Sequence, residues 1–227
     1  MTKGPLDTNL IRMKALIITG GEGPSPDYLR RLAEAADIVI AADSGLDSAI
    51  QAEIQPDLVV GDFDSLEDLS CLDTISPERI LRFSPEKDDT DTEIALSAAR
   101  SRGADHIVIA GGGGGRLDHL LAVTSLFARS ETPREWHTLH ESIYFLEKGT
   151  SAIFGAASGA TVSVFPADGG GSVDMSSSGL KWPLEGLRWG KGYFGISNES
   201  TSDEIGISAG SGSLLVILPA GCERLLE

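Results

Sequence analysis

Asp62 and Asp64 stand one residue apart in the stretch "VVGDFDSL" (59–66). Like charges at that spacing raise each other's pKa values and strain the fold unless something positive sits with them. Three further polar clusters follow the same plan. Asp43 closes the apolar run before "ADSG" (42–45), and Lys87, Asp88, Asp89, Thr90 and Asp91 form "KDDTD" (87–91). The last cluster is "GGGGGRLDH" (111–119), which supplies Gly111 to Gly115, Arg116, Asp118 and His119. Carboxylate oxygens without a Cys or His cluster favour Mg²⁺ over zinc. A glycine run can turn backbone N–H groups into an anion site, helped by the positive end of a following helix. Arg116, directly after the run, can clamp phosphate oxygens through two parallel hydrogen bonds. Carboxylates for a metal beside donors for phosphate suit phosphoryl transfer. Each cluster alone also has a plainer reading. Asp43 or Asp91 can be a helix N-cap, Asp62 and Asp64 turn residues, and His119 a surface residue. Their convergence on one edge carries the functional reading.

That edge requires a particular set of elements. Strands are expected at 14–21, 37–43, 56–62, 78–83, 105–112 and within 136–147. Helices are expected at 25–36, 44–52, 91–103 and 116–130. The strands are continuous apolar runs alternating with helices, which predicts an α/β fold. Its N-terminal part is a mainly parallel sheet with helices on both faces, binding ligand at the carboxyl ends of its strands. Each polar cluster lies at such an end. After about residue 148 helical periodicity stops, and 15 of the 27 glycines fall beyond residue 140. Short alternating runs at 161–166, 171–175 and 212–219 predict a smaller all-β, sandwich- or barrel-like domain. The expected division is therefore 1–147 and 148–227, with "PADGGGSVDMSSSG" (166–179) read as a loop.

The bulk properties narrow the chemistry. With 34 acidic and 18 basic residues the net charge is -16. Nucleic-acid binding through bulk attraction is excluded, and an anionic substrate needs a metal or local cations. The two cysteines, Cys71 and Cys222, are far apart in sequence, which argues against a disulfide framework and fits a cytoplasmic protein. No apolar run reaches membrane-spanning length, and "MTKGPLDTNLIR" reads as a short tail. There is no P-loop signature, and "GGEGPS" lacks dinucleotide-loop spacing.

The motifs "ADSG", "PDLVVGDFDS", "KDDTDTEIAL" and "GGGGGRLDH", in this order, resemble the thiamine pyrophosphokinase (thiamine diphosphokinase) family. "GLKWPL" (179–184) followed by "GISNE" (195–199) resembles that family's thiamine-binding β domain. The resemblance spans about residues 14–218 and implies a reaction. The hydroxyl of thiamine attacks the β-phosphorus of ATP, giving thiamine diphosphate and AMP. It implies that Asp62, Asp64 and Asp91 hold Mg²⁺, with Asp43 and Asp88 nearby. Ser44, Gly45, Ser65, Lys87, Thr90, Gly114, Gly115, Arg116 and His119 would surround the nucleotide. Asp118 would stand where the substrates meet, and Ser197 and Asn198 would contact thiamine. Asp88 and Asp118 are the candidates for a general base. The resemblance also implies a homodimer with the active site shared between chains. One departure is visible. Some members stack thiamine on a tryptophan of the last strand, whereas "SLLVILPAG" (213–221) has no aromatic residue. Trp182, Trp189, Tyr193 or an aliphatic wall are the alternatives, against a plain core role for the tryptophans. Two rival readings are a sensor without turnover and a phosphatase, since "DFDSL" resembles a D-x-D phosphatase start.

Overall fold

A computed structural model of the chain describes residues 13–84, 86 and 88–226; Lys87 and the tail expected over residues 1–12 lie outside the described residues. The parallel part begins with β1 (Met13–Thr19), α1 (Pro26–Glu34), β2 (Ile38–Ala42), α2 (Gly45–Gln51), β3 (Leu58–Gly61) and β4 (Ile80–Arg82). It continues with α3 (Asp91–Ser101), β5 (Ala104–Ala110), α4 (Leu117–Leu126), β6 (Glu135–His137) and β7 (Glu141–Leu146). Then come β8 (Ser151–Gly155), β9 (Thr161–Pro166), β10 (Ser172–Val173), β11 (Ser176–Ser178), β12 (Arg188–Trp189) and β13 (Gly195–Glu199). The described chain ends with β14 (Glu204–Ser208), β15 (Leu214–Pro219) and β16 (Arg224–Leu226).

Local chemistry explains the helix boundaries. Ser25 caps α1 by accepting from Tyr28 N–H, with Pro26 at the first helical position, where its missing N–H costs nothing. α3 carries a complete capping box. The Thr90 hydroxyl accepts from Glu93 N–H, and the Glu93 carboxylate accepts from Thr90 N–H at 2.8 Å. Gly103, at φ +92°, takes the left-handed turn that ends this segment.

The strands of one large sheet run in the order β13-β9-β15-β7-β6-β5-β1-β2-β3-β4. The pairs β6–β5, β5–β1, β1–β2, β2–β3 and β3–β4 are parallel. Central strands such as β2 are buried on both faces, which is why their sequence is a continuous apolar run. α3 and α4 pack Ala95, Leu96, Val123 and Leu126 against one face. α1 and α2 pack Leu29, Leu32, Ala49 and Ala52 against the other.

β7 pairs antiparallel with β15 and so joins residues on either side of the expected division at 147 into one sheet. A second sheet, β11-β14-β8-β16, faces this antiparallel end. Phe154, Ile205 and Ile207 from it meet Tyr144, Leu146, Val162, Val164 and Val216 in a shared core, so the β part is a sandwich. The glycine- and serine-rich segment after residue 166 is not simply a loop. It contains β10 and β11 and buries Met175 to 2% exposure.

Candidate active site

The carboxyl ends of β1, β2, β3 and β5 meet the start of α3 at a cavity of about 310 Å³. Asp43, Ser44, Ser65, Thr90, Asp91 and His119 line it. Asp43 follows β2 at φ +46°, a left-handed conformation uncommon outside glycine. Its amide donates to Val60 O at 2.8 Å, which locks it to the end of β3. Asp62 and Asp64 are turned outward by the residue between them. Phe63 adopts φ +67° and is 1% exposed, packed among Ala41, Leu46, Val59 and Leu72. The Arg82 guanidinium lies 4.8 Å over its ring and donates to Asp62 O. Phe63 is thus the anchor that lets two aspartates leave the sheet side by side. Asp64 N–H donates to Asp62 Oδ1, and Ser65 Oγ donates to Asp64 Oδ1 at 2.8 Å.

The outcome is a trio. Carboxylate oxygens of Asp43, Asp62 and Asp64 all lie within 4.8 Å of one another. Burial raises the Asp43 carboxyl above its ordinary range; hydrogen bonds from Ser44 N–H and the Ser65 hydroxyl oppose this, and the Asp91 and Asp62 charges push it further up. Asp43 Oδ1 is buried without a partner among the described residues. A buried carboxylate oxygen left unpaired beside two more acids is what a divalent cation would complete, and the all-oxygen donor set fits Mg²⁺.

Asp91 interacts with Asp43 electrostatically but is not part of the trio. It is not the helix cap either, since Thr90 takes that position. Thr92, next in α3, shares a buried 2.8 Å hydrogen bond with Thr19 at the end of β1. This pair, invisible to motif reading, ties α3 to the sheet edge; its one sequence signal is a polar residue closing an apolar strand. Gly45 is needed at the start of α2, where a Cβ would fall 2.1 Å from Ile18 O. Asp88 is exposed on the loop before α3.

The glycine run does less anion binding than its composition suggests. The amides of Gly111, Gly112 and Gly113 donate to His137 O, Gly20 O and Glu22 O. Glu22 N–H donates back to Gly113 O, so the loop after β1 clamps the run. Among the described residues of this segment, Gly114, Gly115 and the start of α4 remain as donors toward a ligand. Arg116 is paired with Asp118 through two hydrogen bonds of 3.1 and 2.6 Å, both side chains exposed. That pairing raises the arginine pKa and holds the aspartate below the usual carboxylate range.

Ser197 and Asn198 are on β13, at the opposite edge of the large sheet. Ser197 is exposed at φ +56°. Asn198 braces its neighbour: Oδ1 accepts from Trp182 N–H, and Nδ2 donates to Trp182 O at 2.7 Å. Trp189 is a core residue, 8% exposed, whereas Trp182 and Tyr193 are 55% and 67% exposed. A larger hollow, about 410 Å³, lies on the second sheet, but Ser, Ala, Ile, Gly and Leu line it and none is titratable.

Residues 29–136 match the family model described as thiamin pyrophosphokinase, catalytic domain. The fold is similar to that of thiamin pyrophosphokinase from Geobacillus thermodenitrificans, with 27% identity and a TM-score of 0.73 over 92% of this chain and 98% of that one. Residues 29–136 thus carry a catalytic domain of the thiamin pyrophosphokinase type. Thiamine pyrophosphokinase from Bacillus subtilis shares the fold at 24% identity and a TM-score of 0.76, over 92% of this chain and 99% of the other. The yeast thiamin pyrophosphokinase does so at 16% identity and 0.69, over 93% and 88%. No curated protein matches by sequence. The segment matching the thiamin pyrophosphokinase catalytic domain contains the carboxylate trio, Asp91 and the Arg116–Asp118 pair, while Ser197 and Asn198 fall outside it.

Proposed function

We propose that the chain is a Mg²⁺-dependent thiamine diphosphokinase, which moves the diphosphoryl group of ATP to the thiamine hydroxyl and releases AMP. The observation that carries this reading is the Asp43–Asp62–Asp64 trio with its unpartnered buried oxygen, opening on a cavity beside the start of α4. A cation held there would offset the phosphate charge that a chain of net charge -16 otherwise repels. Asp91, whose charge acts on Asp43, would add a further carboxylate beside such a cation. Gly114, Gly115 and the α4 N-terminus then meet phosphate oxygens, with His119 at the cavity wall. Arg116 exchanges its carboxylate partner for phosphate, which releases Asp118 to the acceptor hydroxyl. In such a transfer the protein mainly positions groups and stabilises charge.

The acceptor side calls for a second chain. Seven strand spacings separate β13 from β2, roughly 30 Å along the sheet at about 4.8 Å per strand. Ser197 and Asn198 therefore serve the carboxylates of a partner subunit, in a homodimer. Exposed Trp182, Tyr193, Phe194 and Ile196 around β13 support an interface and an aromatic wall for thiamine. Free Cys71 and Cys222 are consistent with a reducing cytoplasm. The test is AMP release from ATP and Mg²⁺ with and without thiamine. AMP that needs thiamine and is lost on adding a chelator supports the reading. Inorganic phosphate, or no AMP from folded protein, overturns it.

A further inference from the structure

We infer that the base of the nucleotide sits in a second cavity, on the far side of the β1 end from the carboxylates, and that this cavity selects adenine. The inference rests on the ATP reading above. The cavity, about 180 Å³, lies between the ends of β1 and β5, the start of α1 and the end of α2. β1 and β5 are neighbours, but the chain leaves β1 toward β2 and leaves β5 toward β6, in opposite directions along the sheet. Such a switch point opens a crevice that ligands use in α/β sheets. Thr19 and Gly21 line both this cavity and the carboxylate cavity, so one ligand crossing the glycine rim touches both.

Size and chemistry decide which part of the ligand enters. Pockets that take a whole drug-sized molecule run to roughly 300–1,000 Å³; this one takes a single ring system. Ile18, Pro24, Pro26 and Leu29 form apolar walls, and no charged side chain lines it. It therefore offers no carboxylate to a metal and no cationic side chain to phosphate, and it accommodates a flat neutral ring. Three polar side chains belong to the lining: the Thr19 hydroxyl is bonded to Thr92, whereas Ser48 and Gln51 have no side-chain hydrogen-bond partner among the described residues. A glutamine amide offers a donor and an acceptor side by side, which matches the N6 amino group and N7 of adenine, whereas guanine presents two acceptors, O6 and N7, on that edge.

The test is calorimetric titration in Mg²⁺ with ATP, GTP and inorganic triphosphate, on wild type, Ser48→Phe and Gln51→Leu. Ser48→Phe fills the cavity and is expected to weaken ATP about tenfold or more while triphosphate changes less than about twofold. Gln51→Leu, at an exposed helix end, is expected to bring the ATP and GTP affinities together without changing the melting temperature. ATP binding unchanged in both variants, or ATP and triphosphate weakened alike, overturns the base site. Wild type that releases thiamine-dependent AMP while Ser48→Phe binds ATP normally refutes this inference alone. Wild type that binds neither ATP nor triphosphate overturns it together with the functional reading.

Discussion

Asp43 is partly buried among like charges, and its neighbours define its role. It is held in a left-handed conformation, with one carboxylate oxygen buried and unpartnered among the described residues and two more acids within 4.8 Å. Residues kept in strained backbone beside like charges cluster at functional sites. Asp62→Asn or Asp64→Asn is expected to abolish AMP release, a loss on the order of 10²–10³ or more, while circular dichroism shows an intact fold. Near-normal activity of either variant with Mg²⁺ would sink the metal assignment. Asp43→Asn is expected to lose activity too, yet to melt at or above the wild-type temperature without metal, because it removes a repelled charge. A clearly lower melting temperature would mean that Asp43 is structural.

The elements position these residues through contacts that bridge distant parts of the chain. The Thr19–Thr92 hydrogen bond is the clearest, since both hydroxyls are buried and face each other across β1 and α3. Thr92→Val should cost about 1–3 kcal/mol by leaving the Thr19 hydroxyl unpaired. The double variant with Thr19→Val should recover part of that loss in urea unfolding; purely additive costs would refute the coupling. A second network lies under β6. Glu135 accepts hydrogen bonds from His106 at 2.8 Å and His137 at 3.1 Å, with Lys14 Nζ 3.8 Å away. Burial works against the carboxylate, but these partners outweigh it and hold Glu135 well below the usual range. A group depressed in the folded state contributes fully above its unfolded pKa, about 4.3 for Glu. That contribution is lost as pH falls below this value. Glu135→Gln should therefore flatten the acid limb of the stability curve below about pH 4.3 by up to one proton; an unchanged slope would exclude the network as its source. At this scale the parallel strands and all four helices are legible in the sequence, because buried strands are unbroken apolar runs and helices carry their own caps. β8, β11 and β14 are not. They are short and rich in serine and glycine, and their alternation becomes meaningful only once Phe154, Ile205 and Ile207 face a core.

For the whole molecule, the separation of β13 from the carboxylates is the controlling feature. If a second subunit completes each site, two inactive variants can rescue each other. Ser197→Arg adds bulk and positive charge at the exposed acceptor edge, and Asp62→Asn disables the carboxylates. Unfolded and refolded together in equal amounts, they should regain about a quarter of wild-type activity, because half the twofold dimers then carry one intact site of two. No recovery, or monomers in sedimentation at active concentration, would refute a shared site.

Residue types and spacing were sufficient for the local half of this account. They placed acids and a glycine-arginine cluster at the ends of buried parallel strands, and all-oxygen donors there favour a hard cation over zinc. Only the tertiary structure chose among them. Asp43 rather than Asp91 joins Asp62 and Asp64, because the β2–β3 pairing and the left-handed turns at Asp43 and Phe63 set which oxygens meet. The amides of Gly111 to Gly113 are committed to backbone partners, and Arg116 is committed to Asp118. β7 crosses the expected division to pair with β15, which sends β13 to the far edge. Each of these outcomes depends on hydrogen bonds between residues distant in sequence, and no local pattern of charge or hydrophobicity encodes which partner wins.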